Sequence, residues 1–114
     1  MKNGLYSVRV RALDGADWLG LGVAVLRDGK VVGGGPHTYY TGSYSYKDGR
    51  VKGELLLNTH TAPPPDSLFY DARNVGVGIT GTYDDGDEAE WFGTALLRKR
   101  SISLCASLRK LAES

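Results

Sequence analysis

A chain of 114 residues holds one ordinary domain, residues 1–114, and can bury roughly two thirds of the surface its unfolded form exposes. Fourteen Lys and Arg against thirteen Asp and Glu give a formal charge of +1, which leaves no bulk field to gather nucleic acid or an anionic membrane, so any partner must be recognised by a local patch. Cys105 is the single cysteine, which excludes an intramolecular disulfide. No apolar run nears the ~18 residues of a membrane-spanning helix, and a soluble cytoplasmic protein is expected.

Residues 5–12 alternate Tyr6, Val8, Val10 and Ala12 with Ser7, Arg9 and Arg11, the period-two pattern of a half-buried strand. After the turn dipeptide Asp14-Gly15, residues 18–27 set Leu19, Leu21, Val23 and Val25 against Gly20, Gly22, Ala24 and Leu26. The small residues read as the weaker face, where neighbouring groups approach closely. Asp28-Gly29 between Arg27 and Lys30 suits a two-residue type I′ hairpin, whose central residues both need positive φ. A short strand at Val31 and Val32 ends in Gly33-Gly34-Gly35-Pro36. That run reads as a tight turn or bulge, because a phosphate cradle needs a following helix that Thr38-Tyr39-Tyr40 does not offer.

Residues 38–46 place Tyr40, Gly42, Tyr44 and Tyr46 on one face and Tyr39, Thr41, Ser43 and Ser45 on the other. The Lys47-Asp48-Gly49-Arg50 corner follows, and Val51, Gly53, Leu55, Leu57 and Thr59 then alternate with Lys52, Glu54, Leu56, Asn58 and His60. Pro63-Pro64-Pro65 cannot donate to a sheet ladder, so the chain crosses over here. Asp66 or Ser67 could cap at most one short helical turn near residues 66–71, or this segment could lie as a lid over a barrel mouth. Residues 75–83, 89–97 and 101–111 give three more alternating runs, the first two separated by the Asp85-Gly86 corner.

About eight strands joined mostly by tight turns make an all-β antiparallel meander. An open sheet of that width exposes two edges and one apolar face, so it is expected to close as a single up-and-down β-barrel, calycin- or lipocalin-like. Two packed sheets fit the same periodicity, and the run of Asp-Gly hairpins favours the barrel. At eight strands the interior is just large enough to be filled by side chains or to hold one small ligand. Tyr6, Tyr40, Tyr44, Tyr46, Leu55 and Leu57 are the candidate barrel-lining or ligand-facing residues.

The chemistry-bearing residues do not assemble into a catalytic set, and no enzyme activity and no cofactor are expected. His37 and His60 with Cys105 fall short of a zinc site. His60, Asp66 and Ser67 lack the Gly-x-Ser-x-Gly elbow of a hydrolase. The tyrosines at 39, 40, 44 and 46 would stack bases only if basic residues lined the same face, so direct nucleic-acid binding is not expected. Asp84, Asp85, Asp87, Glu88 and Glu90 crowd one turn, opposite in sign to Arg98, Lys99 and Arg100. Such a run is either a solvated hairpin tip or an electrostatic handle for a basic partner. Leu26, Leu56, Phe92 and Leu96 fall on nominally outer faces, a surplus that suggests a homodimer.

These residues resemble the GrlR-type negative regulators of type III secretion, small calycin-like β-barrel proteins. The resemblance is carried by Met1-Lys2-Asn3-Gly4-Leu5-Tyr6-Ser7, by residues 22–30 (Gly22-Val23-Ala24-Val25-Leu26-Arg27-Asp28-Gly29-Lys30) with Gly33-Gly34 after them, and by Tyr40-Thr41-Gly42-Ser43-Tyr44. It implies a dimeric, non-enzymatic bacterial regulator that binds a basic helix-turn-helix transcription activator, acting on DNA only indirectly. In the family, partner binding is tied to an acidic Glu-Asp-Glu-Asp loop at the central hairpin tip. Here that tip is Lys47-Asp48-Gly49-Arg50, in which only Asp48 is acidic. The expected partner-binding residues are therefore Lys47, Asp48 and Arg50 together with the 84–90 turn. A lipocalin-like carrier of a lipid or other small apolar ligand is the alternative, with Tyr6 standing where a lipocalin Gly-x-Trp signature has Trp.

Overall fold

The computed structural model describes residues 1–13, 18–65, 72–84, 87–97 and 99–113. Eight strands follow in chain order: β1 (Gly4–Ala12), β2 (Trp18–Arg27), β3 (Lys30–Gly34), β4 (Thr38–Lys47), β5 (Arg50–Thr59), β6 (Val75–Tyr83), β7 (Glu88–Leu97) and β8 (Arg100–Glu113). Each pairs antiparallel with the next, and β8 returns to pair with β1, so the sheet is a closed barrel. Closure removes both edges, as a meander with one apolar face requires. The helical turn expected near residues 66–71 and the Asp14-Gly15 and Asp85-Gly86 corners lie outside the described residues.

Two Asp-Gly corners take the expected geometry. Asp28 and Gly29 have φ of 50° and 82°, Asp48 and Gly49 of 53° and 79°, and the flanking pairs are Arg27↔Lys30 and Lys47↔Arg50. Positive φ at both central residues matches the twist of the flanking strands. Each turn is also tied to the next strand: the Gly29 carbonyl accepts from the Tyr44 N–H at 2.9 Å, and the Gly49 carbonyl from the Tyr83 N–H at 3.0 Å.

The face that β2 turns inward reverses the sequence expectation. Leu26 is fully buried and Ala24 is 2% exposed, whereas Leu21, Val23 and Val25 look outward. Leu26 is therefore a core residue and not part of an outer apolar surplus; Leu56, Phe92 and Leu96 are exposed as expected. Backbone approach sets part of this: a Cβ on Gly22 would collide with the Gly34 carbonyl of β3, so that position takes only glycine, while Leu26 enters the core with Tyr6 and Val31.

On the outside, the displaced Leu21, Val23 and Val25 join Val32, Tyr39 and Leu56 in an exposed apolar face. The register runs Val25↔Val32, Val32↔Thr41 and Thr41↔Leu56 across β2 to β5.

Candidate functional site

The strand directions divide the barrel into two ends. One end carries the Asp28-Gly29 and Asp48-Gly49 tips, the β6–β7 turn and the start of β1; the other carries the Gly33–His37 loop and the crossover after β5. The interior near the hairpin tips is filled. Tyr6, Leu26, Val31, Tyr44 and Val51 are each at most 6% exposed. Tyr44 leans on Trp91, with ring centroids 5.8 Å apart, and stacks on Tyr46 at 6.1 Å. The Tyr6 hydroxyl donates to the Lys2 carbonyl at 2.7 Å. Burial, then Asp87 and Glu113, push its pKa up, so it stays a neutral donor.

Toward the other end the barrel is hollow. A cavity of ≈ 190 Å³ runs inward from Leu21, Gly34, Gly35, Pro36, His37, Thr38 and Pro63 to Trp91, with walls of Val8, Val10, Tyr40, Leu55, Leu57, Val77, Ile79, Leu104, Ala106 and Leu108. Small residues border it: Ala24 and Ala106 line it, as do Gly22 and Gly93, where a Cβ would meet the Gly34 backbone and the Val77 side chain. Pro63 is buried against the mouth, and the crossover returns through Ala72, whose carbonyl accepts from the Thr59 N–H at 2.9 Å.

None of the lining side chains is a carboxylate, lysine or arginine. Three side-chain polar atoms are nevertheless buried in the core with no hydrogen-bond partner among the described residues, Tyr40 Oη, Tyr44 Oη and Trp91 Nε1, and Tyr44 sits against the Gly29 backbone. Burial drives the Tyr40 pKa up to about 12, so the hydroxyl is neutral. An unmet buried donor costs about 1–3 kcal/mol, which makes these groups the least expected feature of an otherwise apolar core.

Of the residues expected to line the barrel, Tyr40, Leu55 and Leu57 face the cavity and Tyr6 and Tyr44 lie in the filled half. Tyr46 does not line it. It is 50% exposed although its cross-strand partner Val51 is buried, and its ring stacks on Tyr44 and meets Tyr83 edge-on at 5.7 Å. The tyrosines of β4 form no stacking platform: Tyr40 and Tyr44 point inward, while the exposed Tyr39 and Tyr46 lie on opposite faces.

The residues expected to meet a partner converge around Tyr46. The Lys47-Asp48-Gly49-Arg50 tip lies beside the end of β6 through the Tyr83–Gly49 hydrogen bond and the Arg50↔Thr82 pair. Thr82 in turn pairs with Glu90. Lys47, Asp48, Arg50, Asp84, Asp87, Glu88 and Glu90 are thus exposed on one rim, with Asp85 outside the described residues. Basic groups are interleaved with the acids: Lys2 Nζ is 3.9 Å from Asp87 Oδ1, and Glu88 pairs with Arg109 across β7 and β8. The rim has mixed sign where the sequence suggested an acidic patch.

The two histidines, distant from any catalytic set, fasten the mouth. The His60 N–H donates to the His37 carbonyl at 2.8 Å. His60 Nε2 lies 2.8 Å from the Gly35 carbonyl and Nδ1 2.7 Å from Thr61 Oγ1. Both ring nitrogens are thereby engaged in tying the glycine loop to the crossover. Asp66 and Ser67 lie outside the described residues. Cys105 is 1% exposed; burial and then Glu90 push its thiol up, away from the reactive thiolate. Among the described residues no group of three or more His, Cys, Asp or Glu could hold a metal ion, and no helix is long and apolar enough to cross a membrane.

The strand count left open whether the interior is filled or holds a ligand, and nothing in the alternation marked which half is hollow. The signal available was indirect: glycine and alanine recurring at period two on strands whose other face is apolar.

A comparison with curated proteins returns no match. A family model described as the type III secretion negative regulator GrlR matches residues 1–100, from the N-terminus through β7 to the first residue of β8. With an eight-stranded closed barrel and a match over most of its length, the chain belongs to the GrlR family of type III secretion negative regulators.

Proposed function

We propose that this protein is a non-enzymatic cytoplasmic regulator that acts by binding a protein partner, a helix-turn-helix transcription activator of type III secretion, through the rim around Tyr46. The observation that carries this reading is a half-exposed tyrosine held rigidly by two aromatic neighbours and ringed by the charged tips of two hairpins. A pre-ordered aromatic anchor inside a charged border is the pattern of an interface hot spot, and the border supplies orientation and on-rate. Its mixed sign favours a partner surface with charges of both signs over a uniformly basic one. Copurification with candidate activators tests this. Tyr46→Ala should weaken capture at least tenfold, and reversing Asp84, Glu88 and Glu90 should slow association; capture unaffected by either change would remove the rim from the interface.

The outer apolar face from Leu21 to Leu56 supports a homodimer, since solvated sheet faces ordinarily carry polar residues. Sedimentation at micromolar concentration should give a dimer mass that Val32→Lys converts to monomer. The carrier reading is retained as a second function because the hollow half offers an enclosed apolar site of the kind that takes small ligands. Native mass spectrometry of gently purified protein should then show a bound small molecule.

A further inference from the structure

Resting on the carrier reading, we propose that the cavity takes a medium-chain monocarboxylate, its alkyl chain in the bore and its carboxylate held at the mouth by the His37 imidazolium and the Thr38 hydroxyl. The lining is graded from one end to the other. His37 and Thr38, sequence neighbours and both half-buried, bring polar groups to the mouth, while the walls beyond them are aliphatic and aromatic and the Tyr40 hydroxyl is itself buried.

The two histidines of the mouth differ in what they leave free. His60 engages both ring nitrogens, with Gly35 and Thr61. His37 engages one: its Nδ1 lies 3.2 Å from the Thr61 carbonyl, and because a carbonyl only accepts, that nitrogen carries a proton. Nε2 of His37 and Oγ1 of Thr38 have no partner among the described residues. Once protonated, Nε2 becomes a donor on a cationic ring. No lysine or arginine lines the cavity, so the imidazolium supplies its counter-charge. An anionic head therefore meets a charged donor and a hydroxyl, while a cationic head meets no carboxylate and loses its hydration.

Size bounds the chain. A cavity of ≈ 190 Å³ is somewhat larger than the ~150 Å³ that accepts benzene, which sets the occupant at on the order of eight carbons. Histidine takes up its charge between pH 8 and pH 5, whereas a free carboxylate stays ionised over most of that range. The other titratable groups on this rim are His60, Tyr39 against it with ring centroids 6.3 Å apart, and Tyr40. His37 forms no ion pair with a described residue.

Octanoate, 1-octanol and octylamine, titrated calorimetrically into the full-length protein at pH 6 and pH 8, separate head from tail. At pH 6 octanoate should bind about tenfold tighter than octanol, the worth of one charge-assisted hydrogen bond, and octylamine weakest. Octanoate affinity should fall about tenfold by pH 8, with octanol unchanged. From butyrate to octanoate affinity should rise about fourfold per methylene and level off by dodecanoate. His37→Gln should abolish the pH dependence and move octanol less than threefold; Thr38→Val should weaken octanoate severalfold at both pH values. Octanol or octylamine binding as tightly as octanoate at pH 6, or a pH dependence that survives His37→Gln, would overturn the assigned head group while the carrier reading stands. Affinity still climbing through dodecanoate would take the chain out of the bore and overturn the proposal too. No binding of any of the three would overturn both.

Discussion

The two halves of the barrel are built on the same eight strands and the same register, yet one is filled and the other hollow. Near the Asp-Gly tips, Tyr6, Leu26, Val31 and Tyr44 pack in one core; toward the glycine loop, small inward residues such as Ala24 and Ala106 leave the bore open. Strand number and tilt fix the radius, so closure alone determines neither outcome. Side-chain volume does, ring by ring, and it separates the stabilising end of the molecule from the end that can take a guest.

The comparison breaks most visibly if truncations cost the same at both ends. Leu26→Ala removes a fully buried side chain and should cost about 3 kcal/mol. Leu55→Ala, beside a void that already exists, should cost about 1 kcal/mol. Urea unfolding of the two variants measures the difference, and a reversed order would show that the hollow half is closed in solution.

A second test uses pH. The Tyr40 pKa is raised in the folded state to about 12 from an ordinary value near 10, so the unfolded chain ionises first as pH rises. Stability from this group is fully present below about pH 10 and declines between pH 10 and pH 12, by about 1 kcal/mol at pH 11. Urea midpoints should fall more steeply over this window in the parent than in Tyr40→Phe, which lacks the group. Tyr6 and Tyr44, also shifted upward, leave a residual slope in the variant.

Filling the hollow half sharpens the contrast further. Ala106→Ile adds methyl and methylene groups to a wall residue of the cavity and should raise stability by up to about 1 kcal/mol in urea unfolding. A destabilised variant would place the void elsewhere. The smallest effect is expected on the rim, where Lys2 faces Asp87 across 3.9 Å with both side chains 58% exposed. Lys2→Ala should shift the urea midpoint by no more than about 0.5 kcal/mol equivalent.

The strands and the two I′ turns were legible because their signals are local: period-two alternation and Asp-Gly at two residues' spacing. The inward face of β2 was not, since Leu21, Val23 and Val25 look like a core stripe until the pairing with β3 sets the Gly34 carbonyl where a Gly22 side chain would be. Tyr46 misled for a different reason. Its parity is correct and its partner Val51 is buried, but its ring lies against Tyr44 and Tyr83 and stays half-exposed. The convergence of residues 47–50 with 84–90 depends on β5 and β6 being neighbours, which no short stretch of sequence states. The histidines carry no zinc or hydrolase pattern in the sequence, and only the folded chain brings His60 to the Gly35 carbonyl and both rings to Thr61.

The seam between β1 and β8 joins Gly4 to Glu113 and Ala12 to Leu104, strands separated by nearly the whole chain. Its loop-closure entropy is the largest in the molecule, so it is set to form late, after the hairpins have zipped in sequence. Until then β1 and the unfilled side of β7 are open edges in a nascent sheet. A β8 supplied by a neighbouring chain satisfies them as well as the chain's own, which makes concentrated refolding the condition under which strand exchange competes with closure. Joining the strands of the seam and reopening the chain at Asp48-Gly49 makes the β1–β8 pairing local and moves the longest-range pairing to β4 and β5, so such a permutant should expose β4 and β5 as its last open edges.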